Sequence, residues 1–418
     1  MRAVQRVCLI ASLMIWPAIA AGQAPARTVE FDDAVRQAVE RNPTVASAAT
    51  AIARAEALLL QSRAALMPTA SASVTSLTND SERGFEDTVT QPRSQVLFGA
   101  SASMPLLAPE ARARLAQGRD TVDVARLATA EVRQQVAIGA AQAYLGIIAA
   151  RRQVEVNQRA VDSAAAHLDF AEKRLEGGAG SRLNQLRAAQ ALSRDEAQLE
   201  NARFALRQAE EALGLLLVED GQVTAGAEPT FDAPDAANGW LGERPDVQTQ
   251  ARTVEAAERV LRDSWKTWLP TAAVTFAPQA VAPASALAPS ASGQLSVNLT
   301  QRLFDRRPAA ERALRQVAVS QASFVLDDIA LRARFEERIA RQALASSGRV
   351  LEASRRAARQ ADEVLSITTA AFEVGATTNL EVIDAQRSAR DAATAAAFAE
   401  DAARRARFDL LVAMGRFK

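Results

Sequence analysis

Two hydrophobic periods alternate along this chain in a fixed order. Residues 28–41 and 44–66 read as helices, the first ended by Asn42-Pro43 and the second stopped by Pro68. The period then changes. Val96, Phe98, Ala100 and Ala102 fall on one face of an extended segment at 94–104, and Gln95, Gly99, Ser101 and Ser103 fall on the other. Residues 69–78 alternate more weakly, and the polar stretch 79–84 reads as a loop, so a hairpin is predicted. Pro109 opens a helical pattern that runs to residue 175 with no further proline and with glycine only at 118, 139 and 146. A helix of that span is about 100 Å long at 1.5 Å per residue, which no globular domain accommodates. Gly177, Gly178 and Gly180 reverse the chain, since glycine supplies the left-handed positions of a helix end. The return helix, 181–217, carries Leu192, Leu199, Leu206 and Leu213 at steps of seven, with Ala202, Ala209 and Leu216 three later. This is a heptad seam containing small residues, as tightly packed coiled helices require.

The whole order then recurs. Arg244-Pro245-Asp246-Val247 echoes Asn42-Pro43-Thr44-Val45, and Leu269-Pro270-Thr271-Ala272 echoes Met67-Pro68-Thr69-Ala70, both at an offset of 202 residues. Ala272, Val274 and Phe276 alternate with threonine and alanine, and Leu295, Val297 and Leu299 alternate with Ser296, Asn298 and Thr300. The Pro, Ala and Ser stretch 278–292 reads as the loop between them. Pro308 opens a second long helix, and Gly375 turns it back. The division predicted is a leader at 1–22, a first repeat at 23–218, a linker at 219–238 and a second repeat at 239–418. The strands are placed at 69–78, 94–104, 271–277 and 294–303, and the tips at 176–182 and 373–379.

Four strands with one apolar and one polar face fit an outer-membrane barrel wall. Four cannot close a barrel, and open edges cannot sit in lipid, so the chain must oligomerise: two copies give eight strands, three give twelve. Trp265 and Trp268, just before the third strand, fit either an aromatic girdle at the membrane edge or a helix stripe buried in the core.

Composition narrows the function. Aromatics are 5% of the chain and charged residues 23%, with formal charge +0 and no acidic or basic tail, so nucleic acid is not an expected partner. Arg2 and Arg6 precede an apolar run at 7–19, and Ala18-Ile19-Ala20 offers a cleavage site, so a secretory signal peptide is expected. Cys8 lies inside that run, before most of it, and is badly placed to become a lipidated first residue. The mature chain then has no cysteine, and His167 is its sole histidine, expected at a surface or an interface. Thiolate and histidine metal sites, cofactor loops and triads are not expected, and the chain does not read as an enzyme.

The repeated helix starts at Pro43 and Pro245 and the strand starts at Pro68 and Pro270 form an ordered set with two further segments. These are the tip Phe372-Glu373-Val374-Gly375-Ala376-Thr377-Thr378 and the segment Leu380-Glu381-Val382-Ile383-Asp384-Ala385 that follows it. Across residues 28–417 the chain resembles the bacterial outer-membrane efflux factors, the TolC-like exit ducts. The resemblance implies a mainly α fold whose long antiparallel hairpins form an α-barrel, set below a trimeric, twelve-stranded transmembrane β-barrel. It implies a homotrimer in outer-membrane lipid, extending through the periplasm to a periplasmic adaptor and an inner-membrane transporter, and passing cargo without chemistry. It implies that Glu381 and Asp384 ring the periplasmic mouth, and that the turns at Gly178, Gly180, Gly375, Thr377 and Thr378 meet the adaptor. Without the resemblance, the two acids read as a solvated helix N-terminus. Where some relatives latch the mouth with a Tyr and an Arg, this chain has Phe372 and Thr377, facing Asn184. The phenol and the cation are therefore expected to be missing, leaving closure to packing or leaving a looser mouth. The competing reading is a periplasmic coiled-coil scaffold whose hairpins only cap helices.

Overall fold

The computed structural model describes residues 27–85, 88–232, 239–285 and 289–417. The expected signal peptide with Cys8, and the stretch 233–238 of the expected linker, lie outside the described residues. Strand β1 (Arg27–Val29) leads into helices α1 (Phe31–Arg41) and α2 (Pro43–Ala64). Strands β2 (Thr69–Thr78), β3 (Arg83–Phe85), β4 (Thr88–Gln91) and β5 (Ser94–Leu107) follow. Then come α3 (Pro109–Glu176), α4 (Arg182–Leu217) and β6 (Val223–Ala225). The second half holds α5 (Pro245–Arg262), β7 (Thr271–Ala282), β8 (Ala291–Thr300), α6 (Arg307–Glu373) and α7 (Asn379–Ala413). Helices α3 and α6 have 68 and 67 residues, about 100 Å each at the standard rise. Each forms a hairpin with the helix after it, α3 with α4 and α6 with α7. Leu199 and Leu213 of the predicted seam are buried in the first hairpin.

Several local expectations are corrected. Thr28 is not helical: β1 pairs in parallel with β6, placing a short strand inside the expected linker. The two β-hairpins are not separate, because β5 pairs with β7 and produces one antiparallel sheet of order β2-β5-β7-β8. Strand β7 passes Pro278 and continues to Ala282, because Gln279, Ala280, Val281 and Ala282 find partners in Gly99, Phe98, Leu97 and Val96. Strand β8 begins earlier than expected, at Ala291 opposite Ala280, and stops at Thr300 opposite Thr271. The residue before Thr271 is Pro270, which has no N–H to extend the ladder. A small antiparallel pair, β3 with β4, occupies part of the expected loop and extends the first hairpin.

The buried core sits at mid-height of α3. Ala140, Tyr144, Ile147 and Ile148 pack on Ala34 and Ala38 of α1, Leu213 and Leu217 of α4, and Val223 and Ala225 of β6. The Tyr144 hydroxyl donates to the Ala227 carbonyl at 2.8 Å, which satisfies the polar end of a fully buried ring. A neighbouring cluster joins Ala137, Ala141 and Leu145 to Phe408 and Phe417.

The repeated X-Pro motifs explain how short and long helices join. Pro43 and Pro245 occupy the first helical turn, where a missing N–H is harmless. The residue before each reaches the carbonyl end of a hairpin helix. Asn42 accepts from the Thr44 N–H at 2.9 Å and donates through Nδ2 to the Leu216 carbonyl of α4 at 3.4 Å. Arg244 donates to the Ala413 carbonyl of α7 at 2.9 Å, while Asp246 and Glu336 neutralise its guanidinium. The start of α2 is thereby tied to the end of α4, and the start of α5 to the end of α7.

Replacing Asn42 by Ala removes a cap and an interhelix bond together, an expected loss of about 1–2 kcal/mol in denaturant unfolding. Asn42→Asp keeps the cap acceptor but puts a negative charge at the carbonyl end of α4, so it should not restore stability. An unchanged unfolding midpoint in Asn42→Ala would contradict this account.

Candidate functional site

The register of the four-stranded sheet sorts its side chains. Val74 lies opposite Phe98, and Phe98 opposite Ala280; Ala102 lies opposite Phe276, and Phe276 opposite Leu295. Met104, Val274 and Val297 continue this face, as do Ala272 and Leu299. Because pleated neighbours share a face, the sheet has a continuous apolar side. It is uncovered within the chain: Val74, Leu295, Val297 and Leu299 are all about two-thirds exposed or more. The opposite face carries Ser71, Ser101, Ser103, Thr275, Ser296 and Asn298, joined by contacts such as Ser71 Oγ to Ser101 Oγ at 2.8 Å. Strands β2 and β8 each have one unpaired edge. Trp265 and Trp268 stand exposed in the tight turn of helix before β7. Among the described residues no helix is long and apolar enough to cross a membrane.

At the far end of the long helices, the two tips share one geometry. Gly178 and Gly375 have φ of +73° and +80°, the left-handed region that other residues resist. At the second tip the Ala376 N–H donates to the Ala371 carbonyl at 2.8 Å, and the Gly375 N–H to that of Phe372 at 3.0 Å, a Schellman closure. At the first tip the Gly180 N–H reaches the Arg174 carbonyl at 2.8 Å. Ser181 and Thr378 then cap α4 and α7, accepting from the N–H of Asn184 and of Glu381, each at 3.3 Å. The sequence Thr378-Asn379-Leu380-Glu381 has the spacing of a capping box. Glu381 and Asp384 are both exposed on α7, while Val382 and Ala385 between and beside them are buried. The hydroxyl of Thr377 is buried without a hydrogen-bond partner.

Phe372 is buried within the chain. Its buried ring lies 5.4 Å from His167 and 5.5 Å from Phe170, centroid to centroid. The Arg174 guanidinium sits over it at 5.5 Å and also donates to the Phe372 carbonyl at 3.3 Å. Position 377 holds threonine, as the sequence shows, and the cation beside Phe372 comes instead from Arg174 at the first tip of the same chain. Asn379 is 3% exposed; its Oδ1 accepts from His167 Nε2 at 2.8 Å, and its Nδ2 donates to the Asn184 carbonyl at 3.4 Å. Asn184 contributes its backbone here. Sequence reasoning missed Arg174, Phe170 and Asn379, and His167 as their hub. Only the uniqueness of His167 draws notice to any of them.

Farther along α7 the polar contacts continue. Gln386 donates to the Ser163 carbonyl at 3.2 Å. Arg390 pairs with Asp195 of α4, both side chains being largely buried. Glu400 meets Arg152 at 2.6 Å, and Asp401 meets it at 3.7 Å. Burial raises the Asp401 carboxyl above its ordinary value, with Arg152 and Arg404 opposing that shift. Ala385, Ala397 and Ala403 are buried along the same helix, where small side chains let helices approach closely. The second hairpin is therefore held to the first by a polar ladder.

Residues 34–218 match the outer membrane efflux protein family. No curated protein matches the chain significantly. Among solved structures, crystal structures of CusC that concern folding and transmembrane channel formation superpose with a TM-score of 0.81 at 18% identity, over 93% of each chain. The CmeC outer membrane channel of Campylobacter jejuni superposes with a TM-score of 0.80 at 16% identity, over 93% of this chain and 86% of its own. The open state of the Neisseria gonorrhoeae MtrE outer membrane channel gives 0.77 at 18%, over 92% and 88%. At these identities the superpositions speak for the fold, while the family match speaks for transport across the outer membrane and not for an enzyme. Residues 34–218 match the outer membrane efflux protein family over a little under half of the chain, and the chain as a whole has the fold of the outer membrane channels on which it superposes.

Proposed function

We propose that three copies of this chain close into an exit duct of the outer membrane. The observation that carries this reading is the sheet itself: an apolar face in register across four strands, uncovered, with two unpaired edges. In lipid every backbone N–H and C=O needs a partner, so β8 of one copy pairs with β2 of the next. The efflux family favours three copies and twelve strands over two copies and eight, the smaller number leaving a barrel nearly filled by side chains. The hydroxyl-rich face then lines a wet lumen. Helix α6 supports lateral assembly, because Val317, Phe324 and Leu331 stand exposed at steps of seven along it and form a seam without a partner among the described residues.

The long hairpins continue the duct into the periplasm, reached by means of a signal peptide at 1–22 and without lipidation. Trp265 and Trp268, with the exposed Leu303 and Phe304 after β8, mark the membrane interface. The two repeats, 23–218 and 239–418, each supply one hairpin of the tube. Glu381 and Asp384 form a ring at its inner mouth, which attracts cations and repels anions. The turns at Gly178, Gly180, Gly375, Thr377 and Thr378 face a periplasmic adaptor, which joins the duct to an inner-membrane transporter.

Two adjacent residues test the wall. Leu295→Arg points a charge at lipid, an expected penalty of about 2–4 kcal/mol near the bilayer midplane, and should abolish heat-modifiable oligomers in outer-membrane fractions. Ser296→Arg points into the lumen and should leave them intact. Equal loss or equal retention in the two variants would contradict the assigned faces. The ring is tested in planar bilayers: multivalent cations should block wild-type current and fail to block the Glu381→Ala, Asp384→Ala double variant. Undiminished block in that variant would remove these acids from the mouth.

A further inference from the structure

We propose, resting on the duct reading and deepening it, that His167 is the positioning residue that keeps the gating tip docked on its neighbour, and that its protonation releases the tip. A single imidazole lies buried where three segments meet: α3, which bears it; the C-terminal end of α6; and the first residue of α7. His167 is 7% exposed, as is Phe372, against which it lies. The orientation of Asn379 defines the tautomer. Its Nδ2 is committed to the Asn184 carbonyl, so its Oδ1 accepts, and His167 Nε2 carries the donated hydrogen. This bond ties α3 to α7, and through Asn379 to α4.

The surroundings oppose a charge on the ring. From α6 comes Phe372 and from α7 the neutral Asn379, at the positive end of that helix dipole. From α3 itself come Phe170 and Arg174, the latter a cation in the same aromatic cluster. The other charged groups nearby are engaged elsewhere or face solvent. On α3, Asp169 pairs with Lys173 in solvent, and Glu172 accepts from Gln185. On α4, Arg182 donates to Gln185. Glu373 of α6 and Glu381 of α7 are exposed. Burial lowers the His167 pKa below the ordinary histidine value, and the bond to Asn379 opposes this shift only as the lesser cause.

The docked joint binds a proton less readily than the released one, so docking is strongest above the ordinary histidine range and weakens as pH falls through and below it. Each unit of depression changes the docked-to-released ratio about tenfold per chain.

The test is the open fraction of the purified full-length protein in planar bilayers at about pH 7.5 and about pH 5.5, a range that spans the free histidine pKa. The wild type should open roughly tenfold more at the lower pH. His167→Gln, whose amide can still donate to Asn379 but does not titrate, should stay mostly closed at both. A His167→Gln channel with the wild-type pH profile would overturn the proposal, as would a wild-type channel whose open fraction ignores pH. Protein that forms no oligomer and inserts no channel would overturn the duct reading itself. Channels without the histidine-dependent profile would overturn the joint alone.

Discussion

The backbone edges of β2 and β8 are the constraint on which the rest of this structure depends. A four-stranded sheet with an exposed apolar face has no stable place in water, because that face should be buried, and none in lipid while its edges are open. Closure with further copies resolves both conditions at once. In the proposed duct each strand pair feeds one long hairpin, so a ring of strands would continue as a ring of hairpins. The exposed heptad on α6 is the helical counterpart of the unpaired edge on β8.

Below the buried belt at Tyr144, Leu213 and Phe408 the architecture changes its bonding. Within that belt, aliphatic and aromatic side chains join the helices. Toward the tips, α7 meets α3 and α4 through Gln386, the Arg390–Asp195 pair and Asn379, with alanine between them. A buried ion pair contributes less net stability than a well-packed apolar contact, and breaking it leaves an unpaired charge. Such a seam has defined positions and a modest net hold. That combination suits the proposed duct, in which the tip would shift relative to its neighbour as cargo passes.

Much of this is legible in the residues. Pro43 and Pro245, Pro68 and Pro270, and Gly178 and Gly375 mark the duplication because each serves a backbone geometry that few other residues serve. The alternation in β5 and β8 is strong because both faces of those strands are specialised. The features that stay hidden depend on distant partners. Thr28 lies in a strand only because Thr224 is beside it, and three residues are too few to show a period. Pro278 argues for a loop, yet β5 on one side and β8 on the other hold it within a strand. The joint at His167 links positions 212 residues apart; on an alanine-rich helix nothing local distinguishes a buried imidazole from an exposed one. Phe372 and Thr377 read as a loss of polar and cationic contacts, and nothing local to either shows that Arg174 of the other tip lies over the Phe372 ring.

The most direct measurement of the central claim is disulfide trapping across the joint between copies. One chain would carry Ser71→Cys, Ser73→Cys or Thr75→Cys on the hydroxyl face of β2 together with Ser292→Cys, Ser296→Cys or Thr300→Cys on the same face of β8, and would be oxidised in outer-membrane vesicles. Within one chain β2 and β8 are the two outer strands of the sheet, about 14 Å apart at the usual strand spacing, so a disulfide cannot form inside the chain. The account predicts that at least one pair yields covalent dimers and trimers on a non-reducing gel, that the ladder stops at three, and that reductant returns it to monomer. Monomer alone from every pair in correctly inserted protein, or a ladder that stops at two or runs past three, would contradict it.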